Sequence, residues 1–507
     1  MRLYTNIILS DLRQRLSQYP QKKILFDAHG RSITSSELLN CIDIAATELV
    51  SRGLKKGDRA LFLSRPSIES VIHFFAIIRA GGSVVLVDPE MGQENFMSRI
   101  AFSKPAWMFQ DKILEQIETF SFIKPVLRAF HIWFPDQMPF DSDHRITVRK
   151  FDEIVSQNIS AINEEQMPDD TEMLIIFTSG TVTDPKGVVH SYASMAAAMR
   201  IITNEISISK DDLLYASQFY FVLIALGVSA QAFIPGGKQF DPERFCAVGT
   251  KLKATSAFLL PYEGELVYTF CKRNNTFLPE SFKTILFGSA PVTKGFLSRF
   301  STICEPSLKA YGVYGSTEML AISTVEMHEK INYTGEGDLV GKPAKGVQIT
   351  IAEDKEILAS GPQLFVNYLG DSEPAKVFHS GDLGDLDKDG NVVLLGRKKD
   401  MIIRKGYNVY PSLFEAGISK IPGVVECAMV GIYDDSKEDE KIVLFVVSNS
   451  REHSFVDSLK ASLKAGSNSI DAYAYPDKIM IVPAMPRSGR SKKIDKKALR
   501  DLASKTL

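Results

Sequence analysis

Residues 175–187, IIFTSGTVTDPKG, lead an apolar strand-like run into a loop of small and hydroxyl side chains that closes on Pro185-Lys186-Gly187. Free backbone N–H groups and hydroxyls suit phosphate oxygens, and Lys186 adds positive charge. The loop is not a Walker A loop, because Pro-Lys-Gly stands where Gly-Lys-Ser/Thr is needed. By itself such a loop is most often plain surface. Three later stretches change its meaning. Tyr314-Gly315-Ser316-Thr317-Glu318 offers an aromatic ring to stack on a purine, a hydroxyl for a phosphate and a carboxylate for Mg²⁺. Ser380-Gly381-Asp382 carries a carboxylate that suits two ribose hydroxyls, and Gly396-Arg397-Lys398-Lys399-Asp400 supplies a fixed cation. Each alone reads as an ordinary turn or solvated charge run.

The elements that must hold these residues follow from hydrophobic pattern. Residues 60–63 and 83–87 read as buried strands, and 67–80 between them is apolar at helical spacing and stops at Gly81-Gly82. Strand, helix, strand predicts a βαβ unit and a parallel sheet. The same grammar returns at 255–260 and 284–287. After Val347 the strands become short and hairpin-like, at 348–351, 356–359 and 391–395, the last following the turn Asp389-Gly390. Beyond the basic run, strands are expected near 426–432 and 442–447 in a compact α/β pattern. A domain boundary is placed at about Asp400, giving 1–399 and 400–507.

At 507 residues the chain has room for more than one core. Lys and Arg total 59 against 61 Asp and Glu, a net charge of -2, so no global field selects nucleic acid or an anionic membrane. The five cysteines are scattered and the eight histidines show no HxxxH spacing, which points away from a disulfide framework or a zinc site and towards a reducing cytoplasm. The first residues read as an amphipathic helix rather than a leader. Residues 219–235, FYFVLIALGVSAQAFIP, fall short of a membrane span and read as a buried core helix.

Taken in order, these motifs resemble the acyl-adenylate-forming superfamily of acyl-CoA synthetases, adenylation domains and beetle luciferases, over nearly the whole chain. The resemblance implies an α/β fold: a large N-terminal domain of two α/β subdomains plus a small β-barrel, and a small mobile α+β C-terminal domain. It implies an AMP-forming acid–thiol ligase that uses ATP, Mg²⁺ and CoA or a carrier-protein phosphopantetheine. Thr178, Ser179, Gly180, Thr181 and Lys186 then belong to the phosphate loop. Gly288, Ser289 and Ala290, in Gly-Ser-Ala-Pro, match the adenine-side segment. Tyr314 stacks on adenine, Thr317 contacts the α-phosphate and Glu318 binds Mg²⁺. Asp382 takes the ribose hydroxyls, assisted by Arg397. Asp400 is the hinge, and Gly406 lies on the face that lines the thiol channel.

Residues 486–495 resemble the loop that carries the catalytic lysine. Counting forward from Pro486 picks Lys492; counting back from Ile494-Asp495 picks Lys493, which the firmer downstream register favours. The chain departs from the family at Val182-Thr183, where Thr-Gly is usual, at Ser491, where Gly is usual, and at Leu413, where Glu is common. Residues 217–224 carry no acid, which argues against an α-amino acid substrate and for a fatty or aryl acid. Val87-Asp88-Pro89-Glu90-Met91-Gly92 and 314–323 also resemble β-lactone synthetases that act on β-hydroxy acids. Acyl-AMP ligases that load a carrier protein have an extra restraining segment; none stands out between Gly341 and Asp382. A degenerate nucleotide-binding protein without turnover has only Val182, Thr183 and Ser491 in its favour.

Overall fold

The computed structural model describes residues 2–88, 93–112, 139–149, 151–155, 162–177, 185–237, 239–404, 407–434, 439–450, 454–464, 470, 474–488 and 492–506. Among them two large sheets dominate. The first runs Asn367–Tyr368, Gly187–Ser191, Glu172–Phe177, Ser83–Leu86, Arg59–Leu63, Trp107–Gln110 and Arg145–Thr147. Its Glu172–Phe177 to Arg145–Thr147 part is parallel, and Gly187–Ser191 turns back antiparallel. The expected βαβ unit is present: helix Ile68–Arg79 joins Arg59–Leu63 to Ser83–Leu86. Ser67 caps it by accepting from the Ser70 N–H, and Gly81 ends it at φ +92, a conformation that suits glycine.

Every residue of that helix is buried, including Arg79. A buried guanidinium needs partners, and Arg79 finds the Asp43 carboxylate at 2.9 Å, the Tyr4 carbonyl at 2.9 Å, and Glu164.

The second sheet has a parallel centre, Lys309–Tyr314, Thr284–Phe287, Ser256–Leu259, Leu213–Tyr215, Gln231–Ile234 and Lys23–Asp27. From Lys309–Tyr314 it continues antiparallel through Ser323–Glu326, Asp338–Pro343, Val392–Arg397, Phe378–Leu386, Glu356–Ser360 and Gln348–Ile351. One apolar core joins the inner faces of both sheets.

The remainder is a smaller α+β unit. Val424–Asp434, Asp439–Ser448 and Lys478–Ile481 form one sheet. Strand alternation splits its core: Cys427, Met429, Ile442, Leu444 and Val446 face helices Pro411–Ile418 and Phe455–Lys464, whereas Ala428, Val430, Val443 and Phe445 face Lys496–Ser504. The α/β class, with a large N-terminal part and a small C-terminal one, matches the expectation.

Two sequence expectations need correction. Residues 219–235 are not one helix: helix Phe219–Gly227 ends, Ser229 takes φ +57, and Gln231–Ile234 is a strand. Uniform apolarity hid the break, because a buried parallel strand reads like a buried helix. The N-terminal helix begins only at Ile7, after the Asn6 cap, while Arg2–Thr5 pairs as a strand with Asn163–Gln166. No helix among the described residues is long and apolar enough to cross a membrane.

Candidate active site

The two sheets approach each other where the loop after Lys309–Tyr314 meets strand Gly187–Ser191 and the edge strand Asn367–Tyr368. Antiparallel pairing of Phe378–Leu386 with Val392–Arg397 sets Asp382 directly opposite Arg397. The Arg397 Nε lies 2.6 Å from Asp382 Oδ1, and Tyr314 donates its hydroxyl to Oδ2 at 2.8 Å. Asp382 is 6% exposed. Burial pushes its carboxyl up from the ordinary value, with Arg397 and the Tyr314 hydrogen bond pulling the other way. A carboxylate has about four acceptor positions, so this pair of contacts leaves room for further donors. The Tyr314 hydroxyl is pushed up, first by burial and then by Asp382, and therefore remains a donor.

Gly288 follows strand Thr284–Phe287, next to Lys309–Tyr314. A Cβ there would stand 3.1 Å from the Phe258 ring. Ser289 is exposed at φ +61 and Ala290 is half-buried. These residues follow the strand that pairs with the Tyr314 strand, on the side where the Phe258 ring packs against Gly288.

Thr317 and Glu318 are held from the other sheet. The His190 Nε2 is 2.8 Å from the Thr317 carbonyl, which can only accept, so Nε2 carries the hydrogen. Its Nδ1 then accepts from the Ser194 hydroxyl at 3.1 Å. Burial depresses the His190 pKa, against the raising effect of the Thr317 hydrogen bond, which keeps the ring neutral. The Phe365 N–H donates to the Glu318 carbonyl at 2.8 Å, and the Tyr368 hydroxyl donates to Glu318 Oε1 at 3.0 Å. Lys186 Nζ sits 5.3 Å from the centroid of the Tyr368 ring. Glu318 thus offers a hard carboxylate beside a lysine, which fits Mg²⁺, an ion that takes one or two carboxylates together with substrate phosphates.

The last component comes from the C-terminal part. Lys493–Ile494 pairs with Arg487–Ser488 in a two-stranded hairpin. Lys493 is an exposed residue, yet its ammonium is held below the ordinary lysine value, chiefly by desolvation, then by Arg397 and Lys399, with Asp382 opposing. Lys492 occupies the turn at φ +50, and its carbonyl accepts from Arg487 at 2.8 Å. Lys493 therefore lies within electrostatic reach of Arg397, Asp382 and Lys399. Asp400 is bound by Arg500 of helix Lys496–Ser504 at 2.8 Å.

Thr178, Ser179, Gly180, Thr181, Val182, Thr183, Gly406 and Ser491 lie outside the described residues. His190 and Tyr368 had escaped the sequence reading. His190 contacts a carbonyl 127 residues away and Tyr368 a carboxylate 50 residues away, and no local pattern signals either.

Comparison with known proteins decides the family. The profile of the AMP-binding enzyme matches residues 12–369, and that of the AMP-binding enzyme C-terminal domain matches 413–493. This chain belongs to the AMP-binding enzyme family. The enzyme is 25% identical over 516 residues to 2-succinylbenzoate–CoA ligase of Geobacillus sp. (strain WCH70), covering 95% of each chain. It is 24% identical over 531 residues to medium-chain fatty-acid–CoA ligase of Escherichia coli (strain K12), covering 98% of this chain and 91% of that one. Among solved structures, ATP-bound MatB from Rhodopseudomonas palustris shares the fold with a TM-score of 0.80 at 21% identity, covering 98% and 99% of the two chains. At the level of class, the expectation of an AMP-forming acid–thiol ligase is borne out.

Proposed function

We propose that this AMP-binding enzyme, acting in the cytoplasm, attacks the α-phosphate of ATP with a fatty or aryl carboxylate to give acyl-AMP and pyrophosphate, and then passes the acyl group to the thiol of CoA with release of AMP. The observation that carries the reading is the buried Asp382–Arg397–Tyr314 group of the large domain, with the charges of Asp382 and Arg397 reaching Lys493 of the C-terminal hairpin. On this reading Asp382 and Arg397 take the ribose, and Tyr314 with Gly288, Ser289 and Ala290 takes the adenine. Thr317 contacts the α-phosphate, and Lys186 takes the outer phosphates with Thr178, Ser179, Gly180 and Thr181.

The attacking carboxylate is already ionised, so no general base is required. The barrier is charge crowding between two anions. A bound Mg²⁺ on Glu318 would supply charge neutralisation there. Lys493 would place an ammonium against the charge that develops at the α-phosphate, the kind of preorganised contact that lowers such barriers.

We further propose that residues 1–399 and 400–507 are the two moving bodies, with Asp400 as the pivot. Rotation would withdraw Lys493 and bring Gly406 to the thiol channel. Two features support the substrate class: helix Phe219–Gly227 has an apolar, acid-free start, and relatives that share the whole chain length act on a medium-chain fatty acid and on 2-succinylbenzoate.

The test is acid-dependent pyrophosphate release over a panel of fatty, aryl and β-hydroxy acids, with and without CoA. CoA consumption matched to pyrophosphate supports the proposal. Release that ignores CoA points instead to carrier-protein loading or β-lactone formation. No release with any acid leaves only nucleotide binding.

A further inference from the structure

Lys186 and Glu318 carry opposite charges on neighbouring segments, and both stand where phosphates and Mg²⁺ are expected. A direct ion pair between them would cancel the charge each needs for its ligand. Among the described residues they form none; Tyr368 touches both instead. Its hydroxyl donates to Glu318 Oε1 at 3.0 Å, and its ring lies 5.3 Å from Lys186 Nζ.

The backbone fixes this arrangement. Tyr368 pairs with Val188, two residues beyond Lys186, and the Leu369 N–H donates to the Gly187 carbonyl at 2.7 Å. Gly187 leaves no slack, since a Cβ there would be 3.1 Å from both Leu369 Cβ and the Phe177 ring. Two and three residues earlier in the same segment, Val366 donates to the Val189 carbonyl at 2.8 Å and Phe365 donates to the Glu318 carbonyl at 2.8 Å. The Phe365 and Tyr368 rings pack at 4.8 Å. One short segment therefore grips Glu318 at its backbone and side chain while lying along the strand that follows Lys186. The phenol is pushed up, first by burial and then by the Glu318 charge, so it remains a donor.

Resting on the reading above, we propose that Tyr368 is a positioning residue that insulates Lys186 from Glu318: the hydroxyl aims the carboxylate, and the ring holds the ammonium by cation–π attraction, so that neither is spent on the other before ATP and Mg²⁺ arrive. Cation–π and charge-assisted hydrogen bonds are individually modest, which suits contacts that must yield to a ligand.

The two contacts can be separated by substitution in the full chain, with ATP binding followed calorimetrically in EDTA and across a Mg²⁺ titration. Tyr368→Phe keeps the ring and loses the hydroxyl. It is expected to raise the Mg²⁺ concentration for half-effect by about 5- to 20-fold, with metal-free ATP affinity within about 2-fold of the parent. Tyr368→Leu removes the spacer, so Lys186 and Glu318 can close on each other. Metal-free ATP affinity then falls by roughly 10-fold, and Glu318→Gln added to Tyr368→Leu restores it by leaving Lys186 without a competing carboxylate. Unchanged Mg²⁺ dependence in Tyr368→Phe overturns the inference, and that variant serves even where the leucine one does not fold. A loss in Tyr368→Leu that Glu318→Gln fails to restore also overturns it. A parent enzyme that binds no ATP at all sinks the functional reading itself, a different result from either.

Discussion

The nucleotide end of the candidate site and the lysine that approaches it are built in opposite ways. Asp382 is buried, faces Arg397 by sheet register and accepts from Tyr314, so its position follows from a long antiparallel ladder. Lys493 sits on a two-residue strand of a small hairpin, exposed, in a part of the chain that touches the large domain at contacts such as Ser412 to the Leu395 carbonyl at 2.5 Å, and whose Arg500 holds Asp400 at the boundary at 2.8 Å. Preorganised groups bind what is common to both half-reactions. A group needed in only one of them gains from a mounting that can leave. On the proposed reading, the two regions differ as a fixed binding site differs from a conditional catalytic arm.

The comparison breaks most readily at Lys493. Lys493→Ala should lower acid-dependent pyrophosphate exchange by ~100- to 1,000-fold, the scale of removing one preorganised charge-stabilising donor. Thiol transfer from a supplied acyl-adenylate should stay within a few-fold of the parent, and Lys492→Ala should leave both rates nearly intact. Equal loss of the two half-reactions in Lys493→Ala would mean that the arm is not conditional.

At the fixed end, Asp382→Asn keeps the shape but leaves Arg397 without its buried partner. The expected result is a KM for ATP raised by roughly 10- to 100-fold, the scale of breaking a buried charge pair. If Asp382 holds the ribose in both half-reactions, as proposed, thiol transfer from the adenylate should suffer too. A defect confined to adenylation would erase the proposed distinction.

The smallest effect is expected at the mounting. Arg500→Gln frees Asp400 from a half-exposed ion pair, an interaction worth about 0.2–1 kcal/mol. Overall stability should barely move in thermal unfolding. The ratio of adenylation to thiol-transfer rates should shift by about 2- to 5-fold, since an energy of that size suffices to redistribute two domain arrangements. A ratio identical to the parent's would mean that Arg500 has no part in the pivot.

Much of this was legible in the linear chain, for definite reasons. The βαβ unit at 59–86 follows from apolar spacing and the Gly81-Gly82 stop, both local properties. Tyr314, Asp382 and Arg397 each sit in a short motif whose residue types point to nucleotide chemistry. The strand hidden in 231–234 was not legible, because a helix and a buried strand have the same composition there. Arg2–Thr5 was equally opaque: its pairing with Asn163–Gln166 is a non-local event.

What the sequence determined by itself is the inventory: a small-residue loop before Lys186, an aromatic-to-carboxylate run ending at Glu318, a turn carboxylate at Asp382, a cation at Arg397 and two adjacent lysines near the end. Tertiary structure alone decided how these are used. Register set Asp382 against Arg397. The hairpin set Lys493 within electrostatic reach of that pair and Lys492 at its turn. Sheet-edge packing brought His190 under Thr317 and Tyr368 between Lys186 and Glu318. Residue identity is encoded position by position. Proximity across tens to hundreds of residues arises only when sheets pair and cores close.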